Sequence, residues 1–217
     1  MDWRLDILPS KTRKALDYLG TESWLANDGW YLAGGTALAL QAGHRQSVDL
    51  DFFTPKKTFV PAEVVAHFSE DIWEADIVKD GTIYGIILGA KVSFIAYPFF
   101  APMVPKLKYH RVEVLDKDDI AVMKIIAVSQ RGRKRDFFDL FWYVKNVAPL
   151  ISVIKKLPQQ YPTVAHDFHH IIKSLTYFAD AENDPMPQIF FQATWVEVKK
   201  FFQTETKKIA QELLGLT

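Results

Sequence analysis

The chain has 217 residues, with 26 Lys+Arg against 26 Asp+Glu, six histidines and no cysteine. A formal charge of zero excludes recognition of nucleic acid through a global positive field, and the missing cysteines exclude disulfide scaffolds, thiolate zinc sites and cysteine nucleophiles. At 49% apolar and 14% aromatic residues, general disorder is excluded and a buried core is expected, in one domain plus an extension.

The amino terminus, Met1-Asp2-Trp3-Arg4-Leu5-Asp6, carries charge where a signal peptide needs an apolar core. No uninterrupted apolar run reaches the ~18 residues needed to span a bilayer. A soluble, cytoplasmic protein without a membrane partner is the expectation. Residues 9–29 open with Pro9-Ser10 and place Ala15, Leu16, Leu19 and Trp24 near helical spacing, which predicts an amphipathic helix. Short apolar runs between turn signals then predict strands at 31–33, 48–53, 83–88 and 92–97, with a helix over 61–68. From Asp118 to about Asn146 the period is helical, capped by Asp118 or Asp119. Residues 150–217 read as helical throughout, broken by Pro158, Pro162 and Asp184-Pro185-Met186-Pro187. Within them Val164, Phe168, Ile171, Ile172, Leu175 and Phe178 form one buried helical stripe. The fold class is α+β: a sheet domain over residues 1–146 and a helical extension over 147–217.

The chemistry-bearing residues begin at Tyr31-Leu32-Ala33-Gly34-Gly35-Thr36. A strand that ends in Gly-Gly-Thr and opens a helix presents backbone N–H groups and a hydroxyl at the positive end of the helix dipole, where phosphate oxygens bind. By itself the run is equally a plain strand-to-helix turn, and it is neither a Walker loop nor a dinucleotide fingerprint. Asp49-Leu50-Asp51 adds two carboxylates which, on a strand, share one face while Leu50 and Phe52 take the other. Converging carboxylates repel unless a cation compensates, and Mg²⁺ is commonly held by one or two carboxylates together with substrate phosphates. The alternative is the wet face of an edge strand.

A third element spans residues 119–136. Lys124 is a lone charge among apolar neighbours and shares a helix face with Arg131, and nearly with Arg135, provided Gly132 does not break the helix. Such a row of cations suits a triphosphate or a polynucleotide backbone, and a snorkelling lysine beside a solvated basic turn is the alternative. Asp136 and Asp139 follow, and surface ion pairing is the plain account of both.

Taken together, Gly34-Gly35-Thr36-Ala37-Leu38-Ala39-Leu40, the run from Gly43 to Phe53 containing His44-Arg45 and Asp49-Leu50-Asp51, Lys124, Arg131-Gly132, and Arg135-Asp136-Phe137-Phe138-Asp139-Leu140 closely resemble the AbiEii/AbiGii nucleotidyltransferase toxins of the DNA polymerase β-like superfamily. The resemblance covers about residues 25–145. It implies a mixed sheet flanked by helices and a helical extension. Gly34, Gly35 and Thr36 would grip the nucleotide phosphates, Asp49 and Asp51 would hold Mg²⁺ and act in catalysis, Lys124 would contact the triphosphate, and Asp136 would be the later catalytic carboxylate. It also implies an NTP substrate, transfer of a nucleoside monophosphate to an acceptor hydroxyl such as that of tRNA, and a cognate antitoxin partner in a toxin–antitoxin or phage-defence pair. Protein nucleotidylylation is the alternative activity. Where the superfamily often carries a third metal-binding carboxylate, the best-placed strand, residues 91–97, offers only Ser93, which leaves a degenerate nucleotide-binding module as a further alternative.

Arg45, in the loop beside the phosphate turn, is read equally as a nucleotide-binding residue and as a carboxylate partner; Arg131 is assigned to the nucleotide. His166, His169 and His170 have metal-like helical spacing but fall opposite the apolar stripe, so a wet polar face is expected.

Overall fold

The computed structural model describes residues 2–214. The chain divides into two compact units, Met1–Lys117 and Asp118–Thr217.

The first unit begins with a 3-10 turn, Leu5–Ile7, and the helices α1 (Ser10–Leu19) and α2 (Trp24–Asn27). The single helix expected over 9–29 is therefore two. The chain leaves α1 at Gly20, where a Cβ would lie 3.1 Å from the Asp17 carbonyl and 3.2 Å from His110 Cβ. Strand β1 (Tyr31–Ala33) leads directly into α3 (Gly34–Ala42), followed by β2 (Leu50–Thr54), α4 (Pro61–Val65), β3 (Trp73–Lys79), β4 (Thr82–Ile87), β5 (Ala90–Ala96), β6 (Leu107–Tyr109) and β7 (Val112–Val114). The strands form one mixed sheet in the order β3-β4-β5-β2-β1-β7-β6. β2 runs antiparallel to β1 and parallel to β5.

Each segment's pattern explains its place. Thr36 to Leu40 are all buried, so α3 is apolar all round, as a helix packed on every side must be. In β2 the buried residues Leu50, Phe52 and Thr54 alternate with the half-buried Asp51 and Phe53, the period of a strand with one accessible face. Phe52, Trp24, Trp30, Phe68 and Trp73 pack their rings around Phe94, with centroids 5.2–6.2 Å apart. Three strands carry no matching sequence expectation. β3 lies at a sheet edge and is exposed beyond Trp73, so it lacks apolar alternation. β6 and β7 are three residues each and turn through His110 at φ +49°.

The second unit contains α5 (Lys117–Arg131), α6 (Lys134–Asn146), α7 (Leu150–Lys155), α8 (Leu157–Gln160), α9 (Phe168–Ser174), α10 (Ala179–Glu182) and α11 (Trp195–Leu214). The helix expected to run from 118 to 146 is broken at Gly132, whose left-handed φ of +50° turns the chain between α5 and α6. Arg135 thus leaves the row that holds Lys124 and Arg131. The apolar stripe of 164–178 is also shorter than expected: Asp167 caps α9 by accepting from the His170 amide at 3.0 Å, and Val164, outside the helix, is exposed. Residues 183–194 are not helical, because Pro185 and Pro187 withhold amide donors and fix their own φ. Phe137, Phe138, Phe178, Trp195 and Phe202 supply this unit's aromatic core.

Candidate active site

The register of β1 and β2 decides the geometry in the first unit. Ala33 is the direct partner of Asp51, so the turn that follows Ala33 meets the Asp51 carboxylate. Gly34 adopts φ +69°, and a Cβ there would fall 2.9 Å from Asp51 Oδ2. Only glycine combines that backbone with that approach. α3 starts at Gly34 without any side-chain cap, so its first amides have no partner from a capping side chain. The N-terminus of α3 therefore sits against a half-buried carboxylate, and helix N-termini are where phosphate oxygens bind.

Thr36 is placed differently from a free phosphate-binding hydroxyl. It is buried, lies 2.7 Å from Ser47 Oγ and donates to the Asp49 carbonyl. On the other side of the same segment, Thr12 of α1 donates to the Val48 carbonyl at 2.9 Å. Two hydroxyls thus tie down the three residues that deliver Asp49. Neither Thr12 nor Ser47 was singled out by sequence, since a buried hydroxyl announces itself only once its partner is known. Asp49 itself lies one residue ahead of β2, so the strand alternation expected to pair it with Asp51 starts after it. Both aspartates are half-buried.

Asp51 is also the direct partner of Ser93 in the parallel β2–β5 pair, and Ser93 Oγ donates to Asp51 Oδ1 at 2.6 Å. Ser93, on the strand where the sequence suggested a third carboxylate, is a buried hydroxyl. Among the described residues no group of three or more His, Cys, Asp or Glu side chains is arranged to hold a metal ion. His169 and His170 are exposed and His166 is half-buried, and His170 Nε2 lies 3.2 Å from the Ser129 carbonyl. Arg45 is buried, with Nη1 donating to the Gln46 carbonyl at 2.9 Å. Gly35 is half-buried in the first turn of α3.

The second unit gathers the remaining residues into a buried charge cluster. Lys124 Nζ lies 2.5 Å from Asp136 Oδ1 and 2.7 Å from Asp139 Oδ2, and both aspartates are fully buried. The surface ion pairs expected for Asp136 and Asp139 are thus interior ones, because α6 turns that face onto α5. Arg131 Nε approaches Asp136 Oδ2 at 3.7 Å from an accessible position, its side chain 58% exposed. Asp136 Oδ2 is buried without a hydrogen-bond partner. Lys124, Arg131 and Asp136 are therefore brought together, with Asp139 as an additional member.

The basic turn after Arg131 is not a solvated row of cations. Arg133 pairs with Asp184 at 2.7 Å, and the buried Lys134 donates through Nζ to the carbonyls of Glu182 and Asp184 at 3.0 and 2.6 Å. These bonds anchor the segment before α11 to the start of α6.

Comparison with known proteins identifies the family. A protein of Aquifex aeolicus (strain VF5) is 34% identical over 209 residues, covering 93% of this chain and 97% of its own. A putative nucleotidyltransferase from H. pylori has a similar fold, with a TM-score of 0.53 at 17% identity, covering 94% of this chain and 98% of its own. MenT4, a nucleotidyltransferase toxin from Mycobacterium tuberculosis H37Rv, has a TM-score of 0.50 at 15% identity, covering 93% of this chain and 89% of its own. The profile of the nucleotidyl transferase AbiEii toxin family, type IV toxin–antitoxin system, matches residues 25–212. With that match running through both units, the chain belongs to the AbiEii toxin family and is a nucleotidyltransferase.

Proposed function

We propose that the enzyme transfers a nucleoside monophosphate from an NTP to a hydroxyl of an RNA such as tRNA, in a Mg²⁺-dependent reaction. We further propose that it acts in the cytoplasm as the toxin of a toxin–antitoxin or phage-defence pair, restrained by a cognate antitoxin protein. One observation carries the reading: the uncapped start of α3 lies against Asp51, with Gly34 leaving no room for a side chain between them. No single helix among the described residues is long and apolar enough to cross a membrane.

The residues fit a divalent cation. Asp49 and Asp51 are half-buried oxygen donors, and with Ser93 beside them they offer two carboxylates rather than three. That set suits Mg²⁺, which completes its shell with water and substrate phosphates. Bound there, the ion would supply electrophilic activation of the α-phosphate and neutralise charge on the departing pyrophosphate.

The chain's own groups do the rest. Amides of Gly34, Gly35 and Thr36 bind phosphate oxygens, while the Thr36 hydroxyl fixes the segment that presents Asp49. Arg45 stiffens the adjoining loop from its buried position. Lys124, held within its aspartate pair, is the cation assigned to the triphosphate; Arg131, which the sequence also assigned to the nucleotide, is given instead to the acceptor's phosphate from its exposed position beside Asp136. Asp136 Oδ2, a buried acceptor that lacks a donor, is assigned to the proton of the attacking hydroxyl. The new bond joins acceptor oxygen to α-phosphorus and the α–β bridging bond breaks, with pyrophosphate carrying away the electron pair. Residues 1–146 contain all of these groups, and 147–217 form the extension.

The test is incubation of purified protein with each α-phosphate-labelled NTP, Mg²⁺, total RNA and a protein extract, beside the Asp51→Ala variant. Label in a tRNA-sized band that disappears in the variant is the expected result. Label in protein alone overturns the RNA acceptor. Intact NTP binding without any labelled product favours the degenerate module, the reading for which Ser93 at the third carboxylate position speaks.

A further inference from the structure

We propose that a pocket at the C-terminal end of α5 receives a single nucleotide of the acceptor strand, its phosphodiester on Arg131 and Lys173 and its base on Tyr177. The inference rests on the RNA reading above and gives it an address within the second unit.

The pocket has a volume of about 280 Å³ and is lined by Arg131, His170, Lys173, Ser174, Tyr177 and Asp180 among others. Ligand pockets usually span about 300–1,000 Å³, so this one suits a single nucleotide and not a duplex. Its chemistry is mixed in a way that selects among anions. Arg131 and Lys173 are exposed cations, and Asp180 is an exposed carboxylate on the same rim. A bare polyanion would meet both Asp180 and the negative end of the α5 dipole. A nucleotide within a strand presents one diester charge to the two cations and hydroxyl or amino donors to Asp180. Tyr177 lines the pocket and is 53% exposed, and an accessible aromatic ring is a platform on which any base stacks. His170 is held against the Ser129 carbonyl at 3.2 Å, with Ser174 Oγ 3.4 Å from the same ring nitrogen, so one wall is fixed before ligand arrives.

Arg131 joins this pocket to the charge cluster. Arg131 lines the pocket, and its Nε lies 3.7 Å from Asp136 Oδ2, the buried acceptor without a hydrogen-bond partner. A phosphodiester on Arg131 would therefore bring the acceptor strand to the neighbourhood of the carboxylate assigned to its proton. Gly132, with φ +50°, turns the chain so that Arg131 ends α5 and Lys134 begins α6.

The experiment is a fluorescence anisotropy titration of a labelled RNA oligonucleotide with a single-stranded 3′ end, using the full-length protein and its Lys173→Glu and Tyr177→Ala variants. NTP binding and thermal melting are followed in parallel. Both side chains are exposed, and neither belongs to the proposed NTP machinery, so folding and NTP affinity are expected to hold. RNA affinity is expected to fall about tenfold in each variant. Lys173→Glu should also lower the dependence of log K on log salt by about one, whereas Tyr177→Ala should leave it unchanged. RNA binding by wild type with affinity and salt slope unmoved in both variants overturns the pocket and leaves the RNA reading standing. A wild-type protein that binds no RNA and labels only protein overturns the RNA reading, and the assigned occupant with it.

Discussion

Ser93 and Asp51 are direct partners across the parallel strands β2 and β5, and the Ser93 hydroxyl donates to Asp51 Oδ1 at 2.6 Å. A hydrogen bond to a charged group is worth about 1.5–3 kcal/mol, enough to hold one carboxylate oxygen in a fixed direction. Ser93→Ala should lower nucleotidyl transfer about tenfold, as a loss of about 1.4 kcal/mol does, with NTP affinity little changed. Ser93→Asp should place a third carboxylate beside the second. That variant is expected to melt early in chelator and to recover with Mg²⁺ by a wider margin than wild type. An identical Mg²⁺ response in the two proteins would show that position 93 does not face the cation, and no response in either would show that no cation binds there.

Gly34 is the tightest backbone constraint at the site. Gly34→Ala forces a left-handed φ on an L-residue, at a cost of about 1–2 kcal/mol, and drives its Cβ to 2.9 Å from Asp51 Oδ2. Activity should fall about 10²-fold or more, because the carboxylate has to move from its productive position. A kinetic comparison with Gly29→Ala separates local from generic effects. Gly29 also has positive φ, but its nearest neighbours stand 4.0 Å away, so it should lose stability and keep turnover.

Lys124 sits between two aspartates that are both fully buried. Removing it takes the closest cation from two interior carboxylates, so Lys124→Ala should cost about 3–5 kcal/mol in urea denaturation. Adding Asp139→Asn should return part of that loss, giving a coupling energy in the double-mutant cycle. A loss below ~1 kcal/mol for Lys124→Ala would mean that the cluster opens to water, with Lys124 serving the substrate alone.

Tyr109 gives the fold a dependence on alkaline pH. Its hydroxyl donates to Asp17, and its pKa is pushed up from 10.0 to about 12 by burial first, and then by the hydrogen bond to and the charge of that carboxylate. A pKa raised on folding contributes stability that is fully present below the unfolded value and is lost as pH climbs through the folded one. Denaturation midpoints should therefore drop between pH 10 and about 12. Tyr109→Phe should flatten that drop while lowering the plateau below it. Equal slopes in the two proteins would place the pH dependence elsewhere.

Much of the candidate site is legible in the sequence. Gly34-Gly35-Thr36 and Asp49-Leu50-Asp51 signal themselves through local chemistry: glycines where a strand becomes a helix, and carboxylates where β-propensity disfavours them. The strands at 31–33, 83–88 and 92–97 were legible for a similar reason, as short apolar runs between turn signals. β3 was not, because an exposed edge strand has no buried face to set a period. The break at Gly132 was foreseeable only as a condition, since glycine permits a left-handed turn without requiring one.

The sequence alone determined which residue types stand in which order, and through them the α+β class, the family and the list of chemical groups. The tertiary structure decided what those groups face. Ser93 meets Asp51 across 42 residues of chain, Thr36 turns its hydroxyl to the Asp49 carbonyl, and Lys124 closes onto Asp136 and Asp139 instead of lying along a wet helix face. Periodicity reports only neighbours within a helix turn or a strand pair, whereas burial and hydrogen-bond partnership depend on register between distant segments. The pocket of Arg131, Lys173 and Tyr177 belongs to the same class of fact: its cations and ring come from two stretches more than 40 residues apart, and only the packing of α9 beside the end of α5 makes them one surface.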